Sequence, residues 1–213
     1  MKKSILMIVA VCLVSFSFAQ SEKYANAMKQ NIQKLDSARQ NNNYAAIAND
    51  FMRIADAEKT QWLPYYYAAY ATVEQAMNEK DNNNKDAIAD KANDLIAKAE
   101  TLLGKENSET VTIKSMIATA HMTVDPQSRF MTYGSDAAAL MEKAEKLDPT
   151  NPRPVVLQAQ TAYYTPETFG GGQDVAKPMF EKAVALYKSF KPESALSPVW
   201  GESSAQYFLS QYK

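Results

Sequence analysis

The sequence predicts an all-α fold: a helix-turn-helix repeat array of about four helix pairs plus a C-terminal helix. Three observations predict it. Glycine is scarce, 6 in 213 residues, about 3% against a usual ~7%, which leaves few tight turns for a many-stranded sandwich or barrel. Apolar residues recur at helical spacing along most of the chain, and no stretch sustains the alternation of a strand. A small–large–small unit also recurs about every forty residues, and such regularity signals a helical array.

Taken in order, the chain opens with Lys2 and Lys3, a continuous apolar run from Ile5 to Val14, and small residues at Ser17 and Ala19 before Gln20. This is the layout of a secretory signal peptide over residues 1–19. The run is too short for a membrane span, which needs ~20 residues, and no later segment approaches that length. Its Lys-led form is bacterial in style, so the product is expected in a periplasm or outside the cell. Cys12 lies inside the run rather than at its end, which argues against a lipid anchor. The mature chain, one domain over residues 20–213, then has no cysteine and must be held by a core rather than by disulfides. Its slightly acidic balance, without a basic cluster, argues against nucleic acid as a partner.

The first mature helix covers residues 22–40, where Tyr24, Met28, Ile32 and Leu35 form one apolar stripe. Asn41-Asn42-Asn43 breaks it, and a second stripe follows through Tyr44, Ile47, Phe51, Ile54 and Ala55. A third helix follows Pro64 to about Glu79. Asp81-Asn82-Asn83-Asn84 is read as the next break, and a fourth helix runs from about Asp86 to Leu103. A fifth starts near Ser108, whose capping box is incomplete because Val111 stands where Glu or Gln belongs. Asp125 to Gly134 reads as a loop, with Ser135 or Asp136 capping the helix that ends at Asp148-Pro149. Pro152 and Pro154 open another helix, which stops before Pro166. Gly170-Gly171-Gly172 leads into a helix from Asp174 to about Phe190, and a Pro-marked tail precedes a last helix from about Gly201 to Tyr212.

The recurring unit is Ala48-Met52-Ala55, Ala92-Ile96-Ala99, Ala137-Met141-Ala144 and Ala176-Phe180-Ala183. Small residues seven apart lie on one face and admit a neighbouring helix, while the large one between them fills the gap. Ala69-Val73-Ala76 fits the same pattern outside the series. With Glu142-Lys143-Ala144 followed by Leu147-Asp148-Pro149, and with Phe180-Glu181-Lys182-Ala183, the chain resembles the tetratricopeptide repeat (TPR) family over roughly residues 24 to 190. The closing Pro is missing from the other three units, and the spacing exceeds that family's ~34 residues. Insertions at Asn78 to Lys85, Asp125 to Gly134 and Thr165 to Gln173 account for the excess.

That resemblance implies a TPR-like α-solenoid that binds a protein or peptide partner on its concave face. Counted from the Ala units, Tyr67, Glu74, Ser115, Thr119, Gln160, Tyr163 and Tyr164 fall near this face. Trp62, Tyr65, Tyr66, Tyr67 and Tyr70 cannot all point into one core, because successive helical positions diverge by ~100°. Some must be half-wet, which Tyr tolerates.

The residue types leave little room for catalysis. Gly170 to Gly172 lacks the Lys-Ser/Thr of a phosphate loop, and the Asp81 to Asp86 run fails a calcium loop at its fifth, sixth and twelfth positions. His121 is the one histidine, so neither a zinc site nor a nucleophile–base pair is indicated. The expected function is therefore an exported, non-enzymatic scaffold or adaptor with no cofactor or metal. The alternatives are a small-molecule or glycan binder with aromatic pockets and, behind it, a hydrolase centred on His121. A structural role for the last helix in closing an oligomer also stands.

Overall fold

The small–large–small units mark helix faces, as their chemistry demands. All eight alanines of the series are buried, with Ile96, Met141 and Phe180 buried between them and Met52 partly so. The computed structural model describes residues 22–212 apart from 36 and 39; the expected signal peptide and Cys12 lie outside them. Among the described residues there is no strand. The helices are α1 (22–35), α2 (Tyr44–Glu58), α3 (Trp62–Asn78), α4 (Asn82–Leu103), α5 (Ser108–Met122), α6 (Pro126–Arg129), α7 (Ser135–Leu147), α8 (Pro152–Tyr164), α9 (Gln173–Ser189) and α10 (Glu202–Ser210).

Helix starts differ from the sequence reading where a side chain captures a backbone N–H. The Asn run at 82–84 is the first turn of α4, because the Asp81 carboxylate accepts from the Asn83 N–H at 2.9 Å. Helix α5 is capped by Asn107 rather than Ser108, and Thr110 completes a reciprocal capping box. The expected loop at 125–134 is helical. Asp125 caps α6 with Pro126 in its first turn, and a π-helical segment, Phe130–Gly134, runs straight into α7. Ser135 and Asp136 therefore do not cap anything; they continue a helix already begun.

Two apolar clusters form. The larger joins α1 to α5 around Met28, Phe51, Tyr66, Tyr67, Ile96 and Ile113. The smaller joins α8, α9 and α10 around Val155, Phe180 and Phe208. The expected TPR-like solenoid fails on how the helices meet. In a solenoid each repeat touches only its neighbours. Here the segment 190–201 returns past the intervening pairs to α3. The Tyr67 hydroxyl donates to the Leu196 carbonyl at 2.9 Å, and the Trp200 indole N–H donates to the Tyr66 hydroxyl at 2.9 Å. Trp200 also stacks on Tyr70 at 4.7 Å. A strap from the C-terminal quarter thus closes onto the third helix, which an open array with a free concave face does not permit.

Candidate functional site

Aromatic side chains that the core cannot absorb collect where α8 ends, α9 begins and α10 crosses them. Tyr163 lies against Phe208 at 5.0 Å and Tyr164 at 5.1 Å, both edge to face, while Phe180 and Phe208 stack at 4.9 Å with a 6° interplanar angle. Phe180 and Phe208 are buried and form the floor. Above them Tyr164, Phe169 and Tyr207 stand 73%, 76% and 61% exposed. Tyr164 and Tyr207 both meet Phe208 edge to face, at 5.9 and 5.6 Å, and exposed aromatic rings set around a buried one suit a binding surface.

Beside Tyr164, between the end of α8 and the start of α9, opens a cleft of ≈ 460 Å³, lined by Tyr163, Tyr164, Glu167, Gly172, Gln173 and Asp174 among others. That volume falls within the ~300–1,000 Å³ of ordinary small-molecule sites. Several polar groups around it are tied in. The Tyr212 hydroxyl donates to the Gln173 carbonyl at 2.9 Å, the Gln173 amide donates to the Tyr163 hydroxyl at 3.4 Å, and Gln160 bridges α8 to Ser204 of α10 at 2.7 Å. Burial, together with Tyr163 and Asp174, raises the Tyr212 phenol above its ordinary value, so it is a neutral donor at physiological pH.

The glycine loop fixes one wall. The Gly172 N–H donates to the Ala162 carbonyl at 2.8 Å and draws the loop back onto α8. A Cβ on Gly171 would meet the Thr165 carbonyl at 2.3 Å and the Ala162 carbonyl at 2.8 Å, so only glycine allows this approach. The short 3₁₀ turn Glu167–Phe169 is held out as a result, with Phe169 at its end.

Of the residues expected near a groove, Gln160, Tyr163 and Tyr164 come together here. The other four are elsewhere. Tyr67 is 1% exposed and stacked on Phe51 at 5.1 Å. Glu74 is half-buried on α3, Ser115 is buried and donates to the Thr112 carbonyl, and Thr119 donates to the Ser115 carbonyl. Sequence reasoning missed Phe208 and Tyr212 as neighbours of Tyr163 and Tyr164, and Tyr207 beside Phe208. The signal available was the density of aromatics in Tyr207-Phe208 and Tyr212.

His121 is committed to structure. Its Nδ1 lies 2.7 Å from an Asp86 carboxylate oxygen, its Nε2 lies 3.5 Å from Asp90, and Tyr133 stacks on its ring at 4.9 Å. Arg129 grips Asp86 with two parallel bonds at 2.7 and 2.9 Å and donates to the His121 carbonyl. The Arg129 guanidinium, then the His121 bond, holds the Asp86 carboxyl at about 2, against an ordinary 3.8. A depressed folded value stabilises the fold above the unfolded value and is lost as pH falls through the folded one. Asp86→Asn is accordingly expected to lower the urea midpoint at neutral pH, with the gap to the parent closing as pH drops from 3.8 toward about 2. Urea titrations across that range measure it; a gap independent of pH would contradict it.

No family model and no curated protein matches the chain. Among solved structures it is similar to the HusA haemophore from Porphyromonas gingivalis, at 36% identity and a TM-score of 0.79, over 89% of this chain and 94% of that one. This likeness corrects three expectations together. It replaces the tetratricopeptide family, whose Ala–large–Ala signature is a demand of any closely packed helix pair. It also overturns the concave-face scaffold and the protein or peptide partner that rested on that family, and it agrees better with the small-molecule alternative.

Proposed function

This chain belongs to the family of the HusA haemophore and is an exported bacterial protein without enzymatic activity, and from that premise we propose that it binds haem or a closely related porphyrin in the aromatic cleft between α8, α9 and α10. The observation that carries the placement is the pair Tyr164 and Tyr207, exposed rings that both meet the buried Phe208 edge to face, with Tyr164 also lining the cleft. A flat, apolar macrocycle laid against them would remove their cost of exposure.

The residues present fit such a ligand by offering ring faces. Haem iron takes His, Cys, Met or Tyr as axial ligands. The His121 nitrogens are both engaged by carboxylates, and the Tyr163 and Tyr212 hydroxyls are bound to Gln173. Among the phenols that line the cleft this leaves Tyr164 as the one to test as a ligand, and stacking with area burial is the main source of affinity on this reading.

Titrating hemin into the mature protein, followed by the Soret band and by quenching of intrinsic fluorescence, tests this. Saturable binding with a shifted Soret band is expected. Spectra that simply sum those of free hemin and protein would remove the proposal.

A further inference from the structure

One charge stands beside the cleft without belonging to its aromatic walls. Gln173 and Lys177 are four residues apart on α9 and share a face. Tyr212 lies across that face, its hydroxyl on the Gln173 carbonyl and its ring 6.4 Å from that of Tyr163. The Lys177 ammonium sits 5.9 Å from the centre of the Tyr212 ring, a cation–π contact that holds a flexible side chain near the rim. The cleft lining itself carries Glu167 and Asp174, both acidic.

A porphyrin of the haem type has an apolar perimeter on three sides and two propionates on the fourth. We infer that Lys177 is the orienting residue of this cleft: it receives the propionate edge at the Tyr212 end, while Glu167 and Asp174 repel that edge from the interior. The inference rests on the porphyrin reading above. It predicts that the protein discriminates between free-acid and esterified ligands, and that the discrimination resides in a side chain outside the stacking surface.

The test compares hemin with its dimethyl ester on the parent, Lys177→Gln, Asp174→Asn and Tyr164→Ala proteins. Lys177→Gln should weaken hemin by about fivefold, the upper range for an exposed pair, and leave the ester unchanged. Asp174→Asn should tighten hemin more than it changes the ester. An equal effect of Lys177→Gln on both ligands, or none on either, would overturn the orienting role. Failure of the cleft reading has a different signature: Tyr164→Ala would then leave both ligands bound as tightly as in the parent. Repeating the hemin titrations at high salt adds a readout, since the preference for the acid should shrink as charges are screened.

Discussion

Replacing Arg153 by Met is expected to cost the fold about 3–5 kcal/mol, the usual penalty for removing one partner of a buried ion pair. Arg153 is fully buried, and its guanidinium Nε lies 2.9 and 3.0 Å from the two Glu109 carboxylate oxygens while Nη2 bonds the same carboxylate. The guanidinium also covers the Phe190 ring at 4.6 Å, and its Nη1 is buried without a hydrogen-bond partner. Glu109 additionally accepts from the Tyr66 hydroxyl at 2.8 Å and from the Asn151 amide at 2.9 Å, and Tyr66 in turn accepts from Trp200. Burial pushes the Tyr66 phenol well above its ordinary range, so it remains a donor. Arg153→Met would strand the Glu109 charge in this apolar setting.

For a domain of this size ~1 kcal/mol moves Tm by about 2–4 °C, so a fall of roughly 6–20 °C follows. Glu109→Gln placed in the Arg153→Met background should recover part of it, because the stranded charge is then gone. Thermal and urea unfolding of both single variants and the double variant measure the coupling. A single variant within 2 °C of the parent would show that the network is not what fastens the strap. Because this network ties α3, α5, α8 and the 190–201 segment together, its loss should also free Leu196 and Trp200 from α3.

How much of this was legible in the sequence depends on the range over which each feature is encoded. The Ala units specify local helix faces, and their alanines are buried throughout. The strap was not legible: Trp200 and Tyr66 lie 134 positions apart, and nothing periodic in either segment names the other. Reading the units as a solenoid supplied the wrong tertiary rule, since close helix packing needs small residues in any topology. The consecutive tyrosines show the same limit. Tyr66 and Tyr67 point in different directions, as helical geometry requires, yet both are buried. One meets Glu109 and Trp200, the other Phe51 and the strap carbonyl of Leu196. A helix covered on two sides can bury both, which a one-core argument does not foresee. In the cleft, counting along α8 found Tyr163 and Tyr164. Tyr207, Phe208 and Tyr212 arrive from a later helix and tail by tertiary packing, so no spacing rule connected them. Gly134 misled for a local reason: it reads as a helix breaker, yet the Phe130 ring and the Met122 sulfur pack close to it inside a continuous helical run.

Truncating the exposed rings at the cleft, Tyr164 and Phe169, is expected to abolish most ligand affinity while leaving the fold intact. Tyr164 and Phe169 are 73% and 76% exposed, so Tyr164→Ala and Phe169→Ala remove little buried surface and should unfold within about 1 kcal/mol of the parent. Tyr164 lines the cleft and Phe169 ends the turn that carries the lining residue Glu167; on the porphyrin proposal, covering either ring is worth roughly 1–2 kcal/mol from area and stacking. Each single variant should then raise the hemin Kd about 5- to 30-fold, and the two combined by about the product if the rings act independently. Tyr163, Phe180 and Phe208 are unsuitable for this test, since their rings also form the floor that joins α8, α9 and α10. Tyr164→Phe separates two ways of using the same residue. It keeps the ring and removes the hydroxyl, so a stacking role predicts affinity within about twofold of the parent and an unchanged bound Soret spectrum. If the phenol instead bound the iron, Tyr164→Phe would lose as much as Tyr164→Ala and the bound spectrum would shift, since axial ligation by Tyr is one of the few chemistries open to this cleft. The pair of substitutions at one position therefore decides whether the cleft holds its ligand by face or by metal.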